Sequence, residues 1–191
     1  MPSLPQVSLC HIGLYATDLD TMVDFYSRVF GLTVTDWGHS SRGFDIAFLS
    51  GNAEEHHQLV IAAGRPKDAT FSTINQISFK VQSLDELKRY HDWLVKERVP
   101  KLECRDHGNA WSVYFADPEG NRLEVYVPTP WYVGQPFGEP LDLSKPAGAI
   151  RAHTEAMVRK DPTWRPVEEW SAEIRKKRAD AGNKQAGTAT V

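Results

Sequence analysis

The stretch HIGLYATDLD, residues 11–20, decides the fold, because the chain uses the same pattern again as QISFKVQSLD, residues 76–85. Each copy begins with the alternating apolar residues of a half-buried strand and ends in Leu-Asp at the start of an amphipathic helix. Strand-rich sequence follows both copies: FDIAFLS and HHQLVIAAG after the first, AWSVYFA and RLEVYV after the second. The sequence therefore predicts a β-α-β-β-β module that is used twice.

The predicted fold class is α+β, with two tandem modules at about 7–65 and 72–130 forming a cupped mixed sheet in a domain that spans residues 1–130. Residues 131–180 are predicted to form a C-terminal arm with helices at about 148–159 and 167–179, and residues 181–191 a disordered tail. The arm is rich in Pro, Trp and Tyr, so we expect it to pack. It would wrap its own domain, cover the cup or hold a second subunit, and we favour a homo-oligomer.

The composition excludes several classes of function. The chain has 191 residues with a net charge of −3, which gives no electrostatic reason to expect a nucleic-acid or membrane partner. Its two cysteines are too few for a disulfide framework and fit a reducing cytoplasm. We find no transmembrane segment and no signal peptide, so the predicted location is cytoplasmic.

Side-chain alternation predicts which polar residues share a face. In the first strand His11 opposes the apolar set, and Gln76 occupies the equivalent place in the second copy. In the last strand Glu124 lies between Leu123 and Val125, where a buried carboxylate needs a partner. We expect His11, Gln76 and Glu124 to converge inside the cup, with a metal ion as the partner of Glu124.

Each of these residues also has a structural interpretation. His11 alone would be a surface residue, and Glu124 would form a salt bridge to Arg122 or Lys80. Of the neighbouring pair, His57 is favoured as functional and His56 as structural. Tyr114 would simply favour a strand, and His107 would lie in a loop. The Asp117, Pro118 and Gly120 turn is interpreted as architectural.

The stretch HGNAWSVYFADPEGNRLE, residues 107–124, is similar to the active-site signature of extradiol ring-cleavage dioxygenases. Its elements are His107, Val113-Tyr114, Asp117-Pro118, Gly120 and Glu124. Together with the repeat, it resembles the vicinal oxygen chelate superfamily, which includes glyoxalases, fosfomycin-resistance proteins and bleomycin-resistance proteins. The resemblance covers about residues 7–130 and is strongest to one-domain dioxygenases of the 2,3-dihydroxybiphenyl type.

The resemblance implies a role for each matched residue. His11 and Glu124 match metal ligands, and His57 matches an acid–base residue. Tyr114 matches a tyrosine that hydrogen-bonds the bound catecholate, and His107 matches a histidine near the substrate. The implied metal is Fe(II), with Mn(II) or another divalent ion as alternatives, and the implied partners are a small catecholic aromatic compound and O2.

Gln76 departs from the family pattern, because the second histidine ligand is expected at this position. Three outcomes stay open: Gln76 is a ligand, His57 replaces it, or the dioxygenase reaction has been lost. The alternatives to an extradiol dioxygenase are a divalent-metal epimerase, isomerase or lyase on the same fold, or a non-enzymatic protein that binds an aromatic ligand.

Overall fold

The two predicted modules fold into two sheets with the same strand order. The computed structural model describes residues 7–187, with side chains described for residues 7–180. The first sheet has the order β1-β4-β3-β2 and the second has the order β5-β8-β7-β6, extended by β10. The predicted α+β class with a doubled β-α-β-β-β module is therefore confirmed. The elements are β1 (Ile12–Ala16), α1 (Leu19–Phe30), β2 (Thr33–His39), β3 (Asp45–Ser50), β4 (Leu59–Ala63), β5 (Ile77–Lys80), α2 (Leu84–Lys96), β6 (Glu103–Asp106), β7 (Ala110–Ala116), β8 (Arg122–Pro128), β9 (Trp131–Tyr132), β10 (Glu139–Pro140), α3 (Ala147–Val158), β11 (Arg165–Pro166) and α4 (Val167–Gly187).

The chain divides into two compact units, which do not end where the predicted modules end. The first unit holds Val7–Ile77 and Ala116–Arg122, and the second holds the described residues of Ser78–Phe115 and Leu123–Val191. Thus the turn between β7 and β8 belongs to the first unit, although both strands lie mainly in the second.

In the first unit, β1 pairs in parallel with β4, and β3 pairs antiparallel with both β4 and β2. Leu14 and Ala16 of β1 are buried, whereas His11, Gly13 and Tyr15 are exposed, as the alternation predicts. Helix α1 packs on β3 and β4 and buries its apolar side. The buried helix residues are Leu19, Met22, Val23, Phe25, Tyr26 and Val29.

Local capping explains where both module helices begin. The Asp18 side chain accepts a hydrogen bond from the Thr21 amide at 3.0 Å, which satisfies one free donor of the first turn of α1. At α2 the Ser83 hydroxyl accepts from the Glu86 amide at 3.2 Å. The predicted first-turn acids, Asp20 and Asp85, favour the positive end of each helix dipole.

The turn between β7 and β8 is tied into the first unit by its acidic side chains. Glu119 Oε1 accepts hydrogen bonds from the amides of Thr17 and Asp18 at 2.6 and 2.9 Å. Its second oxygen pairs with Arg65 Nη1 at 3.2 Å, and both side chains are largely buried. Asp117 accepts from the hydroxyl of buried Tyr26 at 3.0 Å. The architectural role predicted for this turn therefore extends to anchoring α1 and the end of β4.

The C-terminal segment packs on the second unit. Strand β10 pairs with β6 and adds a fifth strand to the sheet, and β9 pairs with β11. The buried carboxylate of Asp106 accepts from Thr154 Oγ1 of α3 at 2.5 Å, and the same oxygen of Thr154 accepts from Trp111 Nε1 at 2.8 Å. Of the three expected roles of the arm, the described contacts within this unit are those of a segment that wraps its own domain.

The helices of the extension follow the sequence prediction with one difference. Helix α3 begins and ends one residue before the predicted bounds, and α4 begins at Val167 as predicted but continues to Gly187. It thus runs through residues 181–187, part of the segment for which the sequence predicts a disordered tail. Residues 188–191 lie outside the described residues. No helix within residues 7–187 combines the length and apolar character needed to cross a lipid bilayer.

Candidate active site

The buried carboxylate of Glu124 is held between two neighbouring strands of the second sheet. Glu124 lies on β8, and only 7% of it is exposed. Its Oε1 accepts a hydrogen bond from the hydroxyl of Tyr114 on β7 at 2.7 Å. Its Oε2 accepts from the hydroxyl of Ser78 on β5 at 2.5 Å. Because β8 lies between β7 and β5, the sheet supplies one donor from each side and fixes the carboxylate group.

His107 extends this arrangement by one residue. Its Nε2 lies 2.9 Å from the Tyr114 hydroxyl, and its Nδ1 lies 2.7 Å from the carbonyl oxygen of Phe137. We call the linked residues His107, Tyr114, Glu124 and Ser78 the carboxylate chain. All four belong to the second unit.

The hydrogen bonds of the carboxylate chain constrain which atoms carry protons. A tyrosine hydroxyl has one proton, and Tyr114 donates it to Glu124. The Phe137 carbonyl can only accept, so His107 Nδ1 carries a proton. The His107 ring, with Nε2 toward the phenol, is thus linked to the carboxylate of Glu124 through Tyr114.

A tight turn between β6 and β7 places His107. The Asp106 carboxylate accepts from the Gly108 amide at 2.8 Å, and the His107 amide donates to the Ala110 carbonyl at 2.8 Å. Gly108 has a φ of 69 degrees, in the left-handed region that favours glycine. The turn orients the His107 ring toward Tyr114, which lies on the following strand.

A second group of polar side chains occupies the first unit. The rings of His11 and His57 have their centroids 4.5 Å apart. His56 Nδ1 lies 2.8 Å from His57 Nδ1, and His56 Nε2 lies 2.7 Å from Asp36 Oδ2. We call Asp36, His56, His57 and His11 the histidine cluster. The sequence interpretation of His56 as structural is incomplete, because this residue links Asp36 to His57.

The histidine cluster favours a neutral His57. Burial lowers the pKa of His57 below its ordinary value, and the nearby rings of His11 and His56 lower it further. Asp36 accepts from His56 Nε2, so the proton between the two histidines lies on one of the facing Nδ1 atoms. When His57 supplies that proton, its Nε2 keeps a lone pair for a metal ion or for a substrate proton.

A cavity of about 420 Å³ lies in the first unit along the exposed face of β1. Gly13 and Tyr15 line it on the same strand face as His11, and Phe71 and the ion-paired Arg65 lie on other sides. This volume is in the range of pockets for small organic ligands.

The donor types present fit a divalent metal ion. Glu124 offers a carboxylate, a group that binds divalent ions, and the two hydroxyl donors orient it. A neutral imidazole such as that of His57 is the form that binds metals. Within residues 7–180 no three His, Cys, Asp or Glu side chains form a metal-binding group by themselves. The predicted set of His11, Gln76 and Glu124 includes an amide and stays a prediction.

The structure therefore brings the predicted residues together in two groups: His107, Tyr114 and Glu124 in the second unit, and His11 and His57 in the first. Half-buried Gln76 directly precedes β5. Sequence reasoning missed the roles of Ser78, His56, Asp36 and Phe137. A signal existed for Ser78, because it alternates with the apolar residues of β5 on the same face as Gln76.

Comparison with known proteins agrees with the fold. Residues 8–125 match the family model described as "Glyoxalase/Bleomycin resistance protein/Dioxygenase superfamily", and the chain belongs to this family. It is an α+β protein with the vicinal oxygen chelate fold. The superfamily includes metal-dependent enzymes and binding proteins.

Two curated relatives have different activities. The chain is 29% identical over 126 residues to metallothiol transferase FosB of Lysinibacillus sphaericus, with 64% of this chain and 83% of the relative covered. It is 27% identical over 150 residues to biphenyl-2,3-diol 1,2-dioxygenase 2 of Rhodococcus globerulus, with 69% of this chain and 75% of the relative covered.

A solved structure shares the fold. The fosfomycin resistance protein FosX of Listeria monocytogenes, complexed with Mn(II) and sulfate, matches with a TM-score of 0.51 and 21% identity. The match covers 65% of this chain and 95% of that protein.

Proposed function

We propose that the chain is an extradiol-type dioxygenase that opens the ring of a catecholic aromatic compound with O2 and uses Fe(II) as its metal. The observation that carries this proposal is the carboxylate chain, in which the buried Tyr114 hydroxyl links the His107 ring to the carboxylate of Glu124. These groups would suit a partly ionised catechol: a phenol hydroxyl and an imidazole beside the carboxylate that we propose as a metal ligand.

The ligand set in this proposal is the one predicted from the sequence, His11, Gln76 and Glu124. A bound divalent metal would supply Lewis acidity that lowers the pKa of a catechol hydroxyl, and open positions for the substrate and O2. Mn(II) or another divalent ion is the alternative metal.

Three side chains of the protein have separate roles in the proposed reaction. In the proposed complex the Tyr114 hydroxyl orients a substrate oxygen in place of its bond to Glu124, and the His107 ring holds Tyr114 in position. His57 Nε2 takes a proton from the substrate hydroxyl and returns it as the ring opens, which suits an imidazole that is neutral at the start. Both atoms of O2 enter the product, one carbon–carbon bond of the ring breaks, and the product is a yellow hydroxymuconic semialdehyde.

Two further observations support an aromatic substrate. The cavity beside β1 has Tyr15 and Phe71 in its lining and the volume for a small aromatic molecule, and its lining residues do not include the proposed metal ligands. Biphenyl-2,3-diol, the substrate in the name of the Rhodococcus relative, is such a molecule. A cytoplasmic homo-oligomer stays part of the proposal.

A second candidate is a metal-dependent transferase, lyase or isomerase. Gln76 favours it, because an amide binds Fe(II) more weakly than the expected imidazole does. The metallothiol transferase relative supports the same direction. In this reaction the metal would act as a Lewis acid without O2.

The test separates the two candidates. Protein loaded anaerobically with Fe(II) is mixed with air-saturated catechol or 2,3-dihydroxybiphenyl, and O2 uptake and visible absorbance are followed together. We expect one O2 consumed per yellow product formed, and loss of both signals in His11→Ala and Glu124→Gln. Tyr126→Phe, on the same strand as Glu124, is the matched control.

If no O2 is consumed, a second assay tests the transferase candidate. Tight metal binding with no O2 uptake would overturn the dioxygenase proposal, and Mn(II)-loaded protein is then incubated with L-cysteine and fosfomycin, with the adduct detected by mass spectrometry. Gln76→His is the decisive variant, because a restored imidazole should tighten Fe(II) binding and raise O2 uptake in a dioxygenase.

A further inference from the structure

The segment Val133–Gly138, which we call the arm loop, holds His107 at both its backbone and its ring. The Gln135 side-chain amide donates to the His107 carbonyl at 2.9 Å. The His107 ring Nδ1 donates to the Phe137 carbonyl at 2.7 Å. The same Gln135 side chain accepts from the Phe137 amide at 3.1 Å. The Gln135 side chain therefore bonds to His107 and to Phe137, the two residues that the ring hydrogen bond joins.

The contact between the ring and the arm loop determines which nitrogen of His107 faces Tyr114. A carbonyl oxygen has no proton to give, so Nδ1 must carry one as long as it is bonded to Phe137. The ring is then fixed with Nε2 toward the Tyr114 hydroxyl at 2.9 Å. A ring freed from Phe137 would rotate and exchange its proton between the two nitrogens.

Packing around the neighbouring glycine supports the same geometry. A Cβ atom added at Gly108 would lie 2.6 Å from Val133 Cγ2 and 2.9 Å from Val158 Cγ1. No side chain fits there unless the arm loop or α3 moves. Thr129 Oγ1 donates to the Gly108 carbonyl at 2.6 Å. The turn that carries His107 is thus fitted against the extension that follows the repeated modules.

We propose that Gln135 is a positioning residue for His107. The arm loop, whose conformation the Gln135 hydrogen bonds fix, would keep the His107 ring in contact with Tyr114 of the carboxylate chain. Gln135 acts through the Phe137 carbonyl, which holds the His107 ring in the orientation that reaches Tyr114. The effect on turnover rests on the proposed function, whereas the state of the His107 ring is independent of the reaction.

The first measurement is the state of the ring. Protein labelled with ¹⁵N-histidine is examined by NMR, and the His107 signals are identified by their loss in His107→Gln. We expect a slowly exchanging proton on Nδ1 in the unchanged protein. Gln135→Met keeps the length of the side chain and removes its hydrogen bonds to His107, Val133 and Phe137, and we expect it to lose that slow proton signal. Gln82→Met, the same change at an exposed position of this unit, is the control.

The second measurement is kinetic. With Fe(II) and 2,3-dihydroxybiphenyl we expect Gln135→Met to lower kcat about tenfold and to change KM less than twofold, because substrate contacts are kept while the ring is mispositioned. Circular dichroism and thermal melting confirm that the variant is folded.

The outcomes separate the two proposals. A His107 Nδ1 signal that is unchanged in folded Gln135→Met overturns the positioning role. A changed ring signal in a protein that never consumes O2 supports the positioning role and overturns the dioxygenase proposal. A changed ring signal with an unchanged kcat overturns the part of the inference that concerns turnover.

Discussion

The Tyr114 hydroxyl donates to Glu124 Oε1 at 2.7 Å, and both residues are more than nine-tenths buried. Removing the hydroxyl in Tyr114→Phe leaves a carboxylate oxygen and His107 Nε2 each without this partner. We expect the free energy of unfolding to fall by about 1.5–3 kcal/mol, the usual effect of a lost hydrogen bond to a charged group. Under the proposed function we expect kcat/KM to fall by about two orders of magnitude.

Urea denaturation and initial-rate assays measure the two effects of Tyr114→Phe. Tyr126→Phe removes a hydroxyl from the neighbouring strand and is the control. If Tyr126→Phe lost as much unfolding free energy and kcat/KM as Tyr114→Phe, the hydrogen bond from Tyr114 to Glu124 would not explain the effects.

His57 provides the pH prediction. Burial, and next the rings of His11 and His56, lower its pKa, so we expect an NMR titration midpoint below 6.5 in metal-free protein. The folded state binds this proton less readily than the unfolded state does. The contribution of His57 to stability is therefore present above pH 6.5 and is lost as the pH falls below that value.

Replacing His56 tests the causes of that shift. His56→Gln removes one neighbouring ring that can carry charge, so the His57 midpoint should move upward. It should stay below 6.5, because burial is the largest cause. His153→Gln, an exposed position in the C-terminal extension, should leave the midpoint unchanged. A downward movement in His56→Gln would contradict the electrostatic explanation.

The bond between Tyr26 and Asp117 gives a prediction on stability alone. Tyr26 is fully buried and its hydroxyl donates to Asp117 at 3.0 Å. Burial raises the pKa of Asp117, and the bond from Tyr26 is one of those that oppose this shift. We expect Tyr26→Phe to lower the free energy of unfolding by about 1.5–3 kcal/mol near neutral pH.

The same variant has a pH signature. Without the Tyr26 hydroxyl the Asp117 pKa should move further upward, so protonation of Asp117 relieves more of the cost of its burial. The difference in free energy of unfolding between the variant and the unchanged protein should therefore become smaller as the pH falls toward about 4. Tyr15→Phe, at a position that is 60% exposed, is the control and should change stability little. A gap that widens in acid would exclude this account.

The two cysteines should differ in reactivity. Burial, with the nearby carboxylates of Asp142 and Glu103, raises the pKa of Cys104 to about 11, whereas Cys10 is exposed. At pH 8 only about one Cys104 side chain in a thousand is then a thiolate. We expect iodoacetamide to label Cys10 first and Cys104 only after denaturation, as read by peptide mass spectrometry. Rapid labelling of native Cys10→Ser would show the burial of Cys104 to be wrong.

Much of the fold could be predicted because its signals are local. Alternating residues define the faces of β1 and β8, and polar caps with first-turn acids define the starts of α1 and α2. These features depend on residues within a few positions of one another. The predicted start of α4 at Val167 is confirmed for the same reason.

Part of the site could not be predicted because its contacts join distant irregular segments. His107 and Phe137 are 30 residues apart, and the contact uses a backbone carbonyl that any residue could supply. Asp36 and His56 are 20 residues apart, and neither position has a pattern that indicates the other. Tyr114 and Glu124 were found because a signature of residue types marks them. The ligand roles of His11, Gln76 and Glu124 stay predictions.

The turn of residues 116–122, which completes the first unit, has a consequence for biosynthesis. The first stretch of this unit, Val7–Ile77, has been translated by residue 77. The partners of Tyr26 and of the α1 start, Asp117 and Glu119, come 91 and 102 residues after the groups they bind. The ribosome must add a further 45 residues (122 − 77) before this unit is complete. A nascent chain that ends at residue 77 therefore contains α1 but lacks Asp117 and Glu119, which bind it in the folded protein. Folding of the two repeats should be a single late event rather than two successive ones.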